Sequence, residues 1–128
     1  MSNLRQEDIR DHWGWVAPAI RSMGDEIPLE AVLRECIEDR AHFLMGEGRE
    51  FVILKGCSRS WTDEEYLLVW CAWSKNGNAI KKHWAEICEI GRRAGFRTLE
   101  FWTKRKGFER LAKRLGVEPE ITIYRGEI

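Results

Sequence analysis

Leu68-Val69-Trp70-Cys71-Ala72-Trp73-Ser74-Lys75-Asn76-Gly77-Asn78-Ala79 is the stretch on which the reading of this chain turns. Its first half belongs to residues 65–73, dense in β-branched and aromatic side chains, which predicts a strand covered on both faces. Residues 74–78 break that run. Ile80, Trp84, Ile87, Cys88, Gly91 and Ala94 then recur along one face of a helix, closed by Gly95 as a C-cap. A buried strand that turns through small residues into a helix leaves amide protons unpaired at the helix's positive end, and a pyrophosphate can bind there. Gly77 permits a positive φ and close approach of an anion. Lys81 and Lys82 oppose the helix dipole and destabilise the first turn unless an anion offsets them. The competing reading is an ordinary strand-to-helix turn carrying two solvated lysines.

Working outward, residues 97–103 alternate Leu99, Phe101 and Thr103 against Thr98, Glu100 and Trp102, which predicts a strand parallel to 65–73 through a right-handed crossover. Phe108, Leu111, Ala112 and Leu115 predict a short helix stopped by Gly116, and Ile121 and Ile123 a last strand near 120–125. Upstream, residues 41–45 and 50–54 flank Gly46-Glu47-Gly48 as an antiparallel hairpin, followed by a polar loop from Gly56 to Asp63. Two amphipathic segments come first. Residues 7–23 form one helix or two short ones, with a break or kink near Ala17 because Pro18 has no amide proton. Residues 28–40 follow, opened by Pro28. The expected architecture is one α/β domain over residues 1–128, a mixed twisted sheet with helices on both faces.

Composition agrees with a globular chain: 44% hydrophobic and 33% charged residues in 128. The longest apolar run, Leu67 to Trp73, is far below the ~20 residues of a membrane-spanning helix. The polar start shows no secretory signal, and Cys36, Cys57, Cys71 and Cys88 are widely spaced, so a cytoplasmic protein with reduced thiols is expected. With no CxxC pair and with His12, His42 and His83 scattered, no zinc site is expected. Net charge is zero, yet residues 76–114 carry 11 basic and four acidic side chains. Such a segment suits a phosphorylated cofactor or nucleic acid, the latter through residues 81–114, or is simply a solvated face.

Ser74-Lys75-Asn76-Gly77-Asn78-Ala79, Gly91 to Glu100, and Leu111-Ala112-Lys113-Arg114-Leu115-Gly116-Val117 together resemble the GCN5-related N-acetyltransferase (GNAT) fold. The match extends to element order over nearly the whole chain. The fold would be shortened at both ends, with residues 3–6 for its first strand and room for one last strand. The resemblance implies acetyl-CoA, with its pantetheine arm along Val69, Trp70 and Cys71 and its pyrophosphate on the amides of residues 75–79. The implied cofactor set is therefore Val69, Trp70, Cys71, Ser74, Lys75, Asn76, Gly77, Asn78 and Ala79. Two departures imply weak or lost binding and degenerate catalysis. Ser74 stands where the family has Gln or Arg, so Ser74→Arg would strengthen binding. Ala112 stands where many members have the tyrosine that protonates the departing thiolate, leaving Tyr124 as the candidate acid.

Asp11-His12-Trp13, residues 103–110 and Ile123-Tyr124-Arg125 are similar to short GNAT-like proteins of tailed bacteriophages and prophages. That implies a virion-associated or partner-binding role, with phage structural proteins as partners and no membrane. An active N-acetyltransferase and a nucleic-acid-binding protein are the alternatives. Asp63, Glu64 and Glu65 read as a polar loop before a general-base group, His83 as packed or solvated, and most of the seven tryptophans as core. Trp61 and Trp102 cannot be assigned to a face. The discriminating feature is whether the central strands part around residues 69–73 with Trp70 and Trp73 clear of the gap.

Overall fold

The computed structural model describes residues 3–24, 27–59, 61–101, 108–118 and 126–127. The expected strand at 120–125, residues 102–103 of the expected strand 97–103, and Tyr124 lie outside them, while Arg97, Thr98 and Phe101 are described and stand outside the strand, which covers only Leu99–Glu100. The described chain runs β1 (Arg5–Gln6), a 3-10 turn (Ile9–Asp11), α1 (Trp13–Arg21), α2 (Leu29–Ile37), β2 (Ala41–Met45), β3 (Phe51–Ser58), β4 (Glu65–Trp73), α3 (Ala79–Arg93), β5 (Leu99–Glu100) and α4 (Phe108–Leu115). The five strands lie in sequence order, antiparallel except for the parallel pair β4–β5. The mixed sheet with helices on both faces is therefore found.

Period-two side chains divide the core between those faces. Phe43, Phe51, Ile53 and Cys71 meet Val16, Ile20 and Val32 of α1 and α2. Val52, Leu54, Leu67 and Val69 meet Ile87 of α3. This two-sided burial is why β4 reads as a nearly continuous apolar run.

Two expectations are corrected. α1 passes through Pro18 without a break, because Val16, Ala19 and Ile20 are buried on both sides of it and hold the helix to the sheet. Pro18 and Gly14 are both exposed, so the carbonyl left without a partner faces water. The first polar residues of the expected loop at 56–63 instead extend β3 to Ser58. Lys55 is kept in the strand by Glu35 of α2 and by the Trp70 ring, 5.7 Å from its Nζ. Gly56 lies against Phe96, whose ring would be 2.9 Å from any Cβ at that position. Beyond β3, Arg59 ties the hairpin to β5: its guanidinium pairs with Glu64 and Glu100 and stacks 4.8 Å over Tyr66.

Candidate functional site

Among the described residues, pairing on the β5 edge of β4 is confined to its first half. Leu67 donates its N–H to Thr98 O, and the described pairing covers Leu67↔Leu99 and Leu68↔Glu100. Val69, two residues on, directs its own backbone groups to the same edge by the strand's period. At this point β4 bulges. Ile53 opposes Cys71 and Leu54 opposes Val69, so Trp70 has no opposite number in β3. A bulge bends its strand and increases the local twist, which turns the last part of β4 away from the line of β5.

Neither tryptophan of this segment packs with Val69 and Ala72 on the α3 side. Trp73 stacks on Phe51 (centroids 6.3 Å, 23° between planes) and lies 6.4 Å from Trp15. Trp70 joins the same cluster, under α1 and α2. Cys71 is also buried there, and burial raises its thiol to about 12. Cys36, likewise raised to about 11 by burial, shares that cluster. Neither thiol ionises near neutrality, so neither is a ready nucleophile.

The turn after β4 is built by two reciprocal hydrogen bonds. Asn78 N–H donates to Ser74 Oγ, and Ser74 Oγ–H donates to Asn78 Oδ1, both at 3.0 Å. Gly77 closes the turn onto Ser74 O (3.1 Å) with φ +71°, and no atom lies within 4 Å of where its Cβ would stand. Asparagine at a helix N-cap normally offers its oxygen to the first-turn amides. Here that oxygen is engaged by Ser74, and no side-chain cap forms. Lys82 N–H is the first to find an α3-type partner, Asn78 O at 2.8 Å. Among the described residues, the amides of Ala79, Ile80 and Lys81 find no partner, as at the start of a helix without a side-chain cap.

The residues expected to hold a cofactor thus separate into four groups. Val69, Cys71 and Ala79 are buried, Trp70 is half-buried on the α1–α2 side, and Ser74 is a buried structural member of the turn. Lys75, Asn76, Gly77 and Asn78 are exposed around the open amides. The burial of Ser74 overturns the expected benefit of Ser74→Arg. A guanidinium cannot occupy a position 7% exposed without breaking both turn bonds. Ser74→Ala should cost about 1–3 kcal/mol, the scale for buried polar partners left unmade, and Ser74→Arg at least as much. Urea unfolding of the three proteins checks this, and an Arg variant as stable as wild type would contradict it.

Sequence reasoning missed Glu50, which gave no signal beyond an acid as the first residue of the expected strand 50–54. Its carboxylate is buried, with Oε1 2.8 Å from Lys82 Nζ and 3.3 Å from His83 Nε2. Lys82 is therefore offset internally, while Lys75 and Lys81 stand exposed beside the open amides. Of the other basic residues of α3, Arg92 and Arg93 both pair with Glu89. The positive charge of this segment is partly neutralised by its own helix.

The remaining candidates lie apart. Asp63, Glu64 and Glu65 are exposed, and Glu64 serves Arg59 and Thr98. No metal-binding group of His, Cys, Asp or Glu is found among the described residues. Trp61 is 73% exposed. Tyr66 is buried at the far end of β4 from the turn, its phenol raised first by burial and then by the Cys57 thiol. Ala112 is buried in α4 and offers a methyl group where the resemblance implies a phenol. No described helix is long and apolar enough to cross a membrane.

Solved acetyltransferases share this arrangement across the chain. A ribosomal-protein-alanine N-acetyltransferase from Brucella melitensis biovar Abortus 2308 superposes with TM-score 0.68 at 14% identity, covering 100% of both chains. A putative acetyl transferase from Pyrococcus furiosus gives 0.72 at 9% identity, again with 100% of both chains. The aminoglycoside N-acetyltransferase AAC(6')-Iy, solved in complex with CoA, gives 0.63 at 16% identity, over 100% of this chain and 96% of that one. The fold is that of the GNAT acetyltransferases. No protein-family model matches the sequence, and no curated protein matches it.

Proposed function

We propose that this protein binds acetyl-CoA through the turn at residues 74–79 and the open edge of β4, and transfers the acetyl group slowly or not at all. One observation carries the reading: the uncapped amides of Ala79, Ile80 and Lys81 open at the end of a bulged strand whose described pairing with β5 stops at Leu68. Helix-start amides suit a pyrophosphate, and a strand edge that the described residues leave unpaired beyond Leu68 offers backbone partners to an amide-bearing arm such as pantetheine. Lys75 and Lys81 are the cations placed to meet phosphate, and an aminoglycoside acetyltransferase of this fold has been solved with CoA. The weak link is catalytic, because Ala112 supplies no proton. The wider proposal, a virion-associated or partner-binding protein of a bacteriophage or prophage, rests on the sequence resemblance alone.

Calorimetric titration with acetyl-CoA should give a dissociation constant on the order of tens of micromolar, about −6 kcal/mol. Gly77→Val should weaken it by roughly tenfold or more. The valine strains a left-handed residue by about 1–2 kcal/mol and sets a branched side chain in the space above the amides. Absence of heat up to millimolar ligand, with the fold intact by circular dichroism, would sink the proposal.

A further inference from the structure

We propose that anion binding at the start of α3 takes up a proton, which is held by the Glu50–His83 pair. This deepens the cofactor reading above and rests on one part of it, the binding of a phosphate group at the open amides.

Glu50 is 6% exposed and His83 1%. A buried carboxylate needs a counter-charge or a full set of donors. Its present counter-charge is Lys82, whose ammonium is close to Oε1 but whose side chain is 45% exposed. His83 Nε2 lies 3.3 Å from the same Oε1, yet neither ring nitrogen makes a well-aligned hydrogen bond among the described residues. One oxygen therefore faces a half-exposed cation and a buried histidine without an aligned hydrogen bond.

Lys82 springs from the first turn of α3, immediately after the open amides of residues 79–81. A phosphate bound there draws on the same ammonium, a point charge on a flexible stem. When Nζ turns to the ligand, Glu50 loses its cation inside the protein. The neutral imidazole cannot replace that charge, whereas an imidazolium can. A proton from the buffer adds to the pair, on His83 Nε2 facing Glu50 Oε1, and the charge of the pair rises by one as the lysine leaves. Histidine is the side chain suited to this exchange near neutrality.

Among the described residues, the other charged groups on the elements that carry the pair or lie beside them are exposed or engaged elsewhere. On α3, Glu86 accepts from Leu4 N–H at 2.6 Å, and Lys81 is exposed. On the β2–β3 hairpin, Glu47 is exposed and Arg49 lies over the Trp15 ring, 5.8 Å from its centroid. The end of β4 contributes Ser74, whose hydroxyl is used within the turn. At β5, Glu100 belongs to the Arg59 cluster.

Uptake on binding means tighter binding at lower pH, by up to about tenfold per pH unit for one whole proton. The experiment is calorimetry with CoA, and separately with inorganic pyrophosphate, in buffers of different ionisation enthalpy near neutral pH. Wild type, His83→Gln and Lys82→Met are compared, so that the ligand's own titration is common to all three. Wild type should take up a large fraction of a proton, and His83→Gln should take up none beyond the ligand's share. Lys82→Met, altered at a half-exposed position, keeps the test valid should the buried variant misfold. It should bind more weakly and without uptake, because its pair is protonated beforehand. Binding by wild type with no uptake, or with uptake unchanged in both variants, overturns the inference and leaves the cofactor reading standing. Pyrophosphate binding with uptake but no CoA binding removes the cofactor reading and keeps the inference, and failure of both ligands removes both.

Discussion

Phe51→Ala should destabilise the protein by about 3–5 kcal/mol, the range for large aromatic truncations in a packed core. Phe51 is fully buried at the start of β3, where four rings converge. Its centroid lies 5.5 Å from Phe43, 5.8 Å from Trp15 and 6.3 Å from Trp73. Each contact belongs to a different element, so the cavity is walled by β2, α1 and β4 together and cannot collapse through one side chain's movement. Total stabilities of small domains are about 5–15 kcal/mol, so the variant would be marginal or unfolded at 37 °C. Thermal unfolding should show the midpoint falling by at least ~10 °C. A loss below about 1.5 kcal/mol would mean that the cluster is held by something other than this ring. Because Trp73 adjoins the turn at residues 74–79, a folded Phe51→Leu variant should also bind CoA less tightly.

The sequence exposes what local chemistry decides. β4 and α3 are legible to within a residue, because an apolar run and a 3.6-residue stripe meet at a turn that needs Gly77. The parallel pairing of β4 and β5 follows from the helix between them. What stays hidden depends on partners far along the chain. Gly56 reads as a loop residue, and Lys55 as lying beyond the strand, until Phe96, Glu35 and Trp70 are seen against them. Pro18 reads as a break until α1 is seen anchored on both sides of it.

The candidate site divides along the same line. The exposed turn of residues 75–78, with Gly77 at a positive φ, comes from local chemistry and is legible. Ser74 as a buried brace, and Glu50 as the charge that holds Lys82, depend on the β2–β3 hairpin's position beside α3. The β4 bulge is equally invisible to pattern reading, because every residue from Leu67 to Trp73 is apolar and an extra one leaves no mark on the pattern.

Acetyl transfer by this protein should fall well below ordinary enzyme rates. Attack of an amine on the thioester expels a thiolate, and a positioned general acid typically accelerates such a step by about 10²–10⁴. Ala112 cannot donate a proton, and Tyr66 is buried beside Arg59, at the opposite end of β4 from the turn. Cys71 keeps its proton to about 12, so it neither forms an acyl thioester readily nor relays a proton at neutrality. Thiol release from acetyl-CoA, followed across peptides, polyamines and small amines, should therefore run at least about 10²-fold below the ~1 s⁻¹ low end of typical turnover. Ala112→Tyr should not restore the rate, since the position is buried and an added ring costs about 1–3 kcal/mol of overpacking before it can act. Tyr124, the other tyrosine of the chain, is the candidate that decides the matter. Turnover near 1 s⁻¹ that is abolished by Tyr124→Phe, with acetyl-CoA affinity unchanged, would overturn the degenerate reading and place the proton donor at that residue.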